Sequence, residues 1–155
     1  MDLIHHCEVL LGMRTGFCPD GQGVIPSSHM VVYSKIEAAE ILGSVVDNPF
    51  ACASLIRGSI SQSEDDRVRV ACVQQLLNGR VQGVEYVLLS LLFDEDEEMV
   101  KTGIEGLILI NSDILKRYSH IFESSPHSLV RVSVAKFLKG EDTPIYKLDL
   151  PGGLG

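Results

Sequence analysis

The chain has 155 residues, 45% of them apolar, and a net charge of −8 from 13 Lys and Arg against 21 Asp and Glu. That much apolar surface can offset the entropy of ordering the backbone, which excludes wholesale disorder, and the length favours a single domain over residues 1–155. The acidic balance argues against a nucleic-acid partner, which needs a dense basic surface, and no apolar run reaches the roughly 18 residues of a membrane span.

The opening Met1-Asp2-Leu3-Ile4-His5-His6 has neither a basic segment nor a small-residue cleavage site after an apolar stretch, so the expected location is cytoplasmic. Residues 1–34 read as an N-terminal cap. A short helix over Met1 to Met13 turns Leu3, Ile4, Cys7, Leu10 and Leu11 inward, and Gly16, Pro19, Gly21, Gly23 and Pro26 then break regular structure up to about Ser28. From Lys35 the pattern becomes helical. Asn48 before Pro49 offers a cap followed by proline at the first helical position, opening a helix from Pro49 to Ile60. Asp65 and Asp66 place carboxylates at the start of the helix that contains Val68, and Asn78-Gly79 closes it. An apolar segment from Val84 to Phe93 follows, then the acidic run Asp94-Glu95-Asp96-Glu97-Glu98, then a helix around Val100. Asn111, Ser112 and Asp113 can cap a helix from Ile114 to Phe122. Ser125-Pro126 breaks the chain before a last helix around Val130, which Lys139-Gly140 ends, and residues 140–155 form a glycine- and proline-containing tail.

Three of these helices align without gaps. Val68, Val100 and Val130 are each followed by a basic residue (Arg69, Lys101, Arg131), by a small one three positions on (Ala71, Gly103, Ser133), and by an apolar one eight positions on (Leu76, Ile108, Leu138). Ile36 and Ala39 supply an earlier beat, with Glu37 in place of the basic residue. The period is about 30 residues and holds two helices, so residues 35–139 read as repeated helical hairpins, with at least six helices and no sheet. A lone hairpin cannot bury its apolar face, whereas stacked hairpins can, and small residues let neighbouring helices approach closely.

The valine-arginine step, the acidic residues ahead of it in Asp65-Asp66-Arg67-Val68-Arg69, the small residue three later and the terminal leucine resemble the first helix of a HEAT repeat. The resemblance implies an all-α fold: a short right-handed α-solenoid of stacked antiparallel hairpins. It also implies a function, because HEAT arrays serve mainly as protein-binding scaffolds, with a minority acting as enzymes or binding nucleic acid. Glu37 departs from the pattern, as do Gly103 and Gly106, each costing about 1 kcal/mol inside a helix against alanine.

No His-Glu dipeptide, of the kind that holds iron in some HEAT-like enzymes, occurs among the five histidines. His5, Cys7, Cys18 and His29 have the chemistry of zinc ligands, but their irregular spacing favours an ordinary cap with no metal or other cofactor. Cys52 and Cys72 read as small core residues and the cysteines as reduced thiols. No nucleophile elbow is present, and Gly21-Gln22-Gly23 lacks the strand and helix of a nucleotide loop. The acidic run reads as a solvated turn favouring the next helix, or as a surface that steers a basic partner; it lacks the alternation and central glycine of a calcium loop.

In a HEAT array the second helices line the inner surface. By that resemblance the candidate protein-binding residues are Glu85, Tyr86 and Leu89, continued by Lys116 and His120 on the next hairpin. The apolar excess from Tyr86 to Phe93 marks either a helix buried on several sides or a ridge that a partner or a second copy covers. The expected function is a non-catalytic scaffold or adaptor for a protein partner. The alternatives are a small enzyme or lyase subunit using the N-terminal His/Cys group, and a homo-oligomeric assembly factor.

Overall fold

The computed structural model describes residues 2–13, 28–110 and 112–140. The glycine- and proline-rich stretch 14–27, the tail from 141 onward and Asn111 lie outside these residues. The described chain is helical, without strands among the described residues, and it divides into two compact units, Met1–Val81 and Gln82–Gly155.

The first unit holds α1 (Leu3–Leu10), α2 (Ser28–Gly43), α3 (Pro49–Ile60) and α4 (Asp66–Asn78). The Asp2 side chain caps α1 by accepting from the His5 amide at 3.0 Å. Only the last turn of α1 reaches the core, through Val9 and Leu10, so Ile4 does not point inward as expected but is 67% exposed. Helix α2 starts at Ser28, ahead of Lys35, and buries Val32, Ala38, Ala39 and Leu42 along one side. Asn48 caps α3 through the amides of Phe50 and Ala51, with Pro49 in the first turn, as the sequence predicts. Helix α4 packs on both α2 and α3. It therefore buries most of its circumference, Val68, Ala71, Cys72, Val73, Leu76 and Leu77, rather than a single stripe.

Arg69 is also buried, only 1% exposed, and its Nε donates to the Ser59 carbonyl at the end of α3 at 2.9 Å. The arginine of the repeat thus reaches back to the C-terminal carbonyls of the preceding helix, where the helix dipole favours a cation. Lys35 of α2 pairs with Glu64, ahead of α4, at 2.9 Å with both side chains largely covered. The end of α4 differs from expectation: Arg80, not Gly79, adopts the left-handed backbone, at φ 49°. Gly79 is required for space, because a Cβ there would lie 2.5 Å from Cγ1 of Val46.

The second unit holds α5 (Val84–Leu91), α6 (Glu97–Leu109), α7 (Ile114–Arg117), α8 (Ser119–Glu123) and α9 (Ser128–Leu138). Asp96 caps α6 through the Glu98 amide, and Glu97 and Glu98 occupy its first turn. Gly103 and Gly106, which weaken α6 as an isolated helix, are explained by its neighbour. A Cβ on Gly103 would lie 2.7 Å from the Leu88 carbonyl oxygen, and one on Gly106 2.7 Å from Cδ2 of Leu88. Helix α5 therefore lies against the bare backbone of α6.

The single helix expected from Ile114 to Phe122 is broken. At Tyr118 (φ −113°, ψ 22°) the helical backbone opens and restarts, and the two short pieces carry Ile114, Leu115 and Phe122 into the core. Of the three expected caps, Ser112 accepts from the Ile114 amide at 3.2 Å, whereas the Asp113 side chain makes no cap. Helix α9 buries Val130 and Val134 against α6, α7 and α8, with Ser133 half-buried, and ends at Gly140 with φ 71°, the glycine ending expected there. Arg131 donates to the Ser125 carbonyl just beyond α8, repeating in an exposed setting the reach of Arg69.

Candidate functional site

Helix α5 follows Gly83, whose φ of 85° turns the chain into the helix without a side-chain cap. Its apolar residues then divide between two faces. Val84, Leu88, Leu91 and Leu92 are buried, while Tyr86 is 57% and Phe93 67% exposed, with Leu89 half-buried between them. The Phe93 amide donates to the Ser90 carbonyl at 3.2 Å, which extends the helical path just past Leu91. Tyr86, Leu89 and Phe93 stand at steps of three and four residues and form one outward apolar ridge, about 10 Å long at the helical rise. The apolar excess therefore serves both purposes: a buried face that holds α5 on α6, and an unpartnered one.

Glu85 makes a contact within its own unit. Its Oε2 accepts from the Ser112 hydroxyl at 2.8 Å, and the same serine oxygen accepts from the Ile114 amide. Glu85 thus ties the start of α5 to the start of α7. Lys116 and His120 are exposed, on α7 and α8 respectively, where one helix carrying both was expected. Phe93 was not among the expected contact residues, although its spacing from Tyr86 and Leu89 was the available signal.

The acidic run is not uniformly solvated. Asp94 is only 4% exposed and its carboxylate accepts from the Asp96 amide at 2.9 Å; Asp96 caps α6; Glu95, Glu97 and Glu98 are exposed. Phe93 is thus followed in the chain by three exposed acidic residues, Glu95, Glu97 and Glu98. In the first unit, Glu64 is paired with Lys35, and Asp65 caps α4 while its other oxygen bonds the Arg67 guanidinium at 3.0 Å, which holds the Asp65 carboxyl below its ordinary range.

Of the candidate zinc ligands, Cys18 lies outside the described residues, as does the His29 side chain. His5 stacks edge-on against His6, and the Cys7 thiol donates to the Phe50 carbonyl at 3.8 Å. Among the described residues no three His, Cys, Asp or Glu side chains are grouped to hold a metal. Cys7, Cys52 and Cys72 are free thiols; Cys72 is fully buried, Cys52 only half-buried. Burial, reinforced by the Glu64 charge, pushes the Cys72 thiol up to about 12. Glu105 on α6 has a covered Oε1 with no hydrogen-bond partner, and burial raises its carboxyl to about 7 against the opposing pull of Lys101, with Glu98 adding to the rise.

Comparison with protein-family models finds no match, and comparisons with curated proteins and with solved structures find none either. Any functional reading therefore rests on the chain's own residues.

Proposed function

We propose that the protein is a non-catalytic scaffold that binds a protein partner through its helical surface, as a short right-handed HEAT-like solenoid. Two packing relations, each found within the units, support this reading. First helices of successive periods lie together, α2 with α4 in the first unit and α6 with α9 in the second. Each second helix also packs on the next first helix: α3 on α4, α5 on α6 and α8 on α9. Within each unit these are contacts of the kind by which repeated hairpins bury their open faces.

The observation that carries the function is the outward ridge of Tyr86, Leu89 and Phe93. Large aromatic groups held open on a packed helix cost solubility and add nothing to the core, and they are the side chains that most often anchor interfaces. Lys116 and His120 stand on the same unit as exposed polar groups suited to a rim, where charges set orientation more than affinity.

The test is affinity purification from cell extract with wild-type protein and with folded Tyr86→Ala and Lys116→Glu variants. The expected result is a protein retained by the wild type, largely lost by Tyr86→Ala and only weakened by Lys116→Glu. Equal retention by all three refutes the assignment, as does the absence of any retained protein.

A further inference from the structure

We infer that the α5 ridge receives a basic amphipathic helix, a partner segment with aliphatic or aromatic anchors on one face and Lys or Arg at one end. The inference rests on the protein-binding reading and adds the chemistry of the occupant. Tyr86 and Phe93 are exposed, Leu89 lies half-covered between them, and the three follow a helical line of about two turns. A helix laid along such a line presents its own anchors at matching three- and four-residue steps.

Charge selects among helices. Within five residues after Phe93 the chain carries Glu95, Glu97 and Glu98, all exposed, whereas the Asp94 and Asp96 carboxylates accept from backbone amides. Three open carboxylates at one end of an apolar line repel an acidic segment and attract a cationic one, fixing its direction as well as its sign. A second copy of the chain fits less well, because two molecules each carrying −8 repel one another.

The probe is a fluorescent synthetic helix about five turns long, with leucines on one face and lysines on the other, titrated into the full chain by anisotropy beside a glutamate-for-lysine counterpart. The expected results are binding of the lysine peptide only, loss of at least about tenfold in affinity with Tyr86→Ala/Phe93→Ala, and several-fold loss with Glu95→Lys/Glu97→Lys at low salt that shrinks at high salt. Circular dichroism confirms that these surface variants remain folded. Failure of the lysine peptide to bind overturns the inference, as do equal binding of both peptides and affinity unchanged in both double variants. The scaffold reading survives those outcomes if extract purification still yields a partner sensitive to Tyr86→Ala. A dimer in sedimentation that Phe93→Ala dissolves overturns the inference in favour of a homotypic interface.

Discussion

Replacing Gly103 by alanine sets two opposed effects against each other. Alanine favours an α-helix over glycine by about 1 kcal/mol, and Gly103 sits in the middle of α6 with an ordinary helical backbone, so an isolated helix would be strengthened. In the folded unit the new Cβ lies 2.7 Å from the Leu88 carbonyl oxygen, 3.0 Å from the Leu91 Cβ and 3.2 Å from Cδ2 of Leu92. The first two belong to the backbone, or sit directly on it, and cannot rotate away, so α5 has to retreat by about 0.5 Å or more. Overpacking of this kind costs about 1–3 kcal/mol, and here the retreat also loosens the buried Leu88 and Leu91. Because backbone must move, the cost falls in the upper part of that range, about 2–3 kcal/mol, and the helix gain of about 1 kcal/mol leaves a net destabilisation of about 1–2 kcal/mol, read as a lower urea midpoint by circular dichroism. Gly106→Ala is the control. Its Cβ meets only the Leu88 side chain, whose methyl groups can shift, so stability should stay within about 1 kcal/mol of wild type. A Gly103→Ala protein as stable as wild type, or equal losses from both substitutions, would refute the close approach of α5 to α6.

Glu105 links stability to pH. Its carboxyl titrates near 4.5 in the unfolded chain and near 7 in the fold, so the native state binds the extra proton between those values and stability falls as pH rises through that window. Allowing for the partial exposure of the side chain, the loss is about 1 kcal/mol, and Glu105→Gln should flatten this part of a Tm-against-pH curve; a wild-type curve that rises between pH 4.5 and 7 and is unaltered by the substitution would contradict the assignment. Arg69→Ala removes a buried side chain and strands the Ser59 carbonyl, which should cost about 3 kcal/mol, against less than about 1 kcal/mol for the exposed Arg131→Ala, as measured by denaturant unfolding. Similar losses from both would mean that Arg69 is not held as described.

How much of this could be read from the chain depended on whether a local rule or a tertiary neighbour decided the matter. The helix Pro49–Ile60 starts where its Asn48 cap and leading proline predict, because capping is local chemistry. Gly103 could be singled out as a small position by the repeat, but the reason for its size is the Leu88 carbonyl of another helix. The opening at Tyr118 carries no glycine or proline signal, and local sequence rules would continue the helix through it. Neither the left-handed backbone at Arg80 nor the Val46 methyl group that fills the space beside Gly79 has a local signal in the sequence. In the candidate surface, Tyr86 and Phe93 were within reach of helical spacing. That Glu85 is occupied by Ser112 was not, since those residues meet only when the unit folds.

The seat of Cys72 has a practical consequence. Its sulfur rests where a Cβ on Gly58 would come within 2.6 Å, fully enclosed, while Cys7 and Cys52 are partly open to solvent. A thiol that is both sealed and held protonated does not meet an alkylating reagent until the helices around it part. The chain therefore carries its own clock: with enough reagent that alkylation outpaces reclosing, the rate at which Cys72 is modified, timed after its more open companions have reacted, counts the openings around it without any added label.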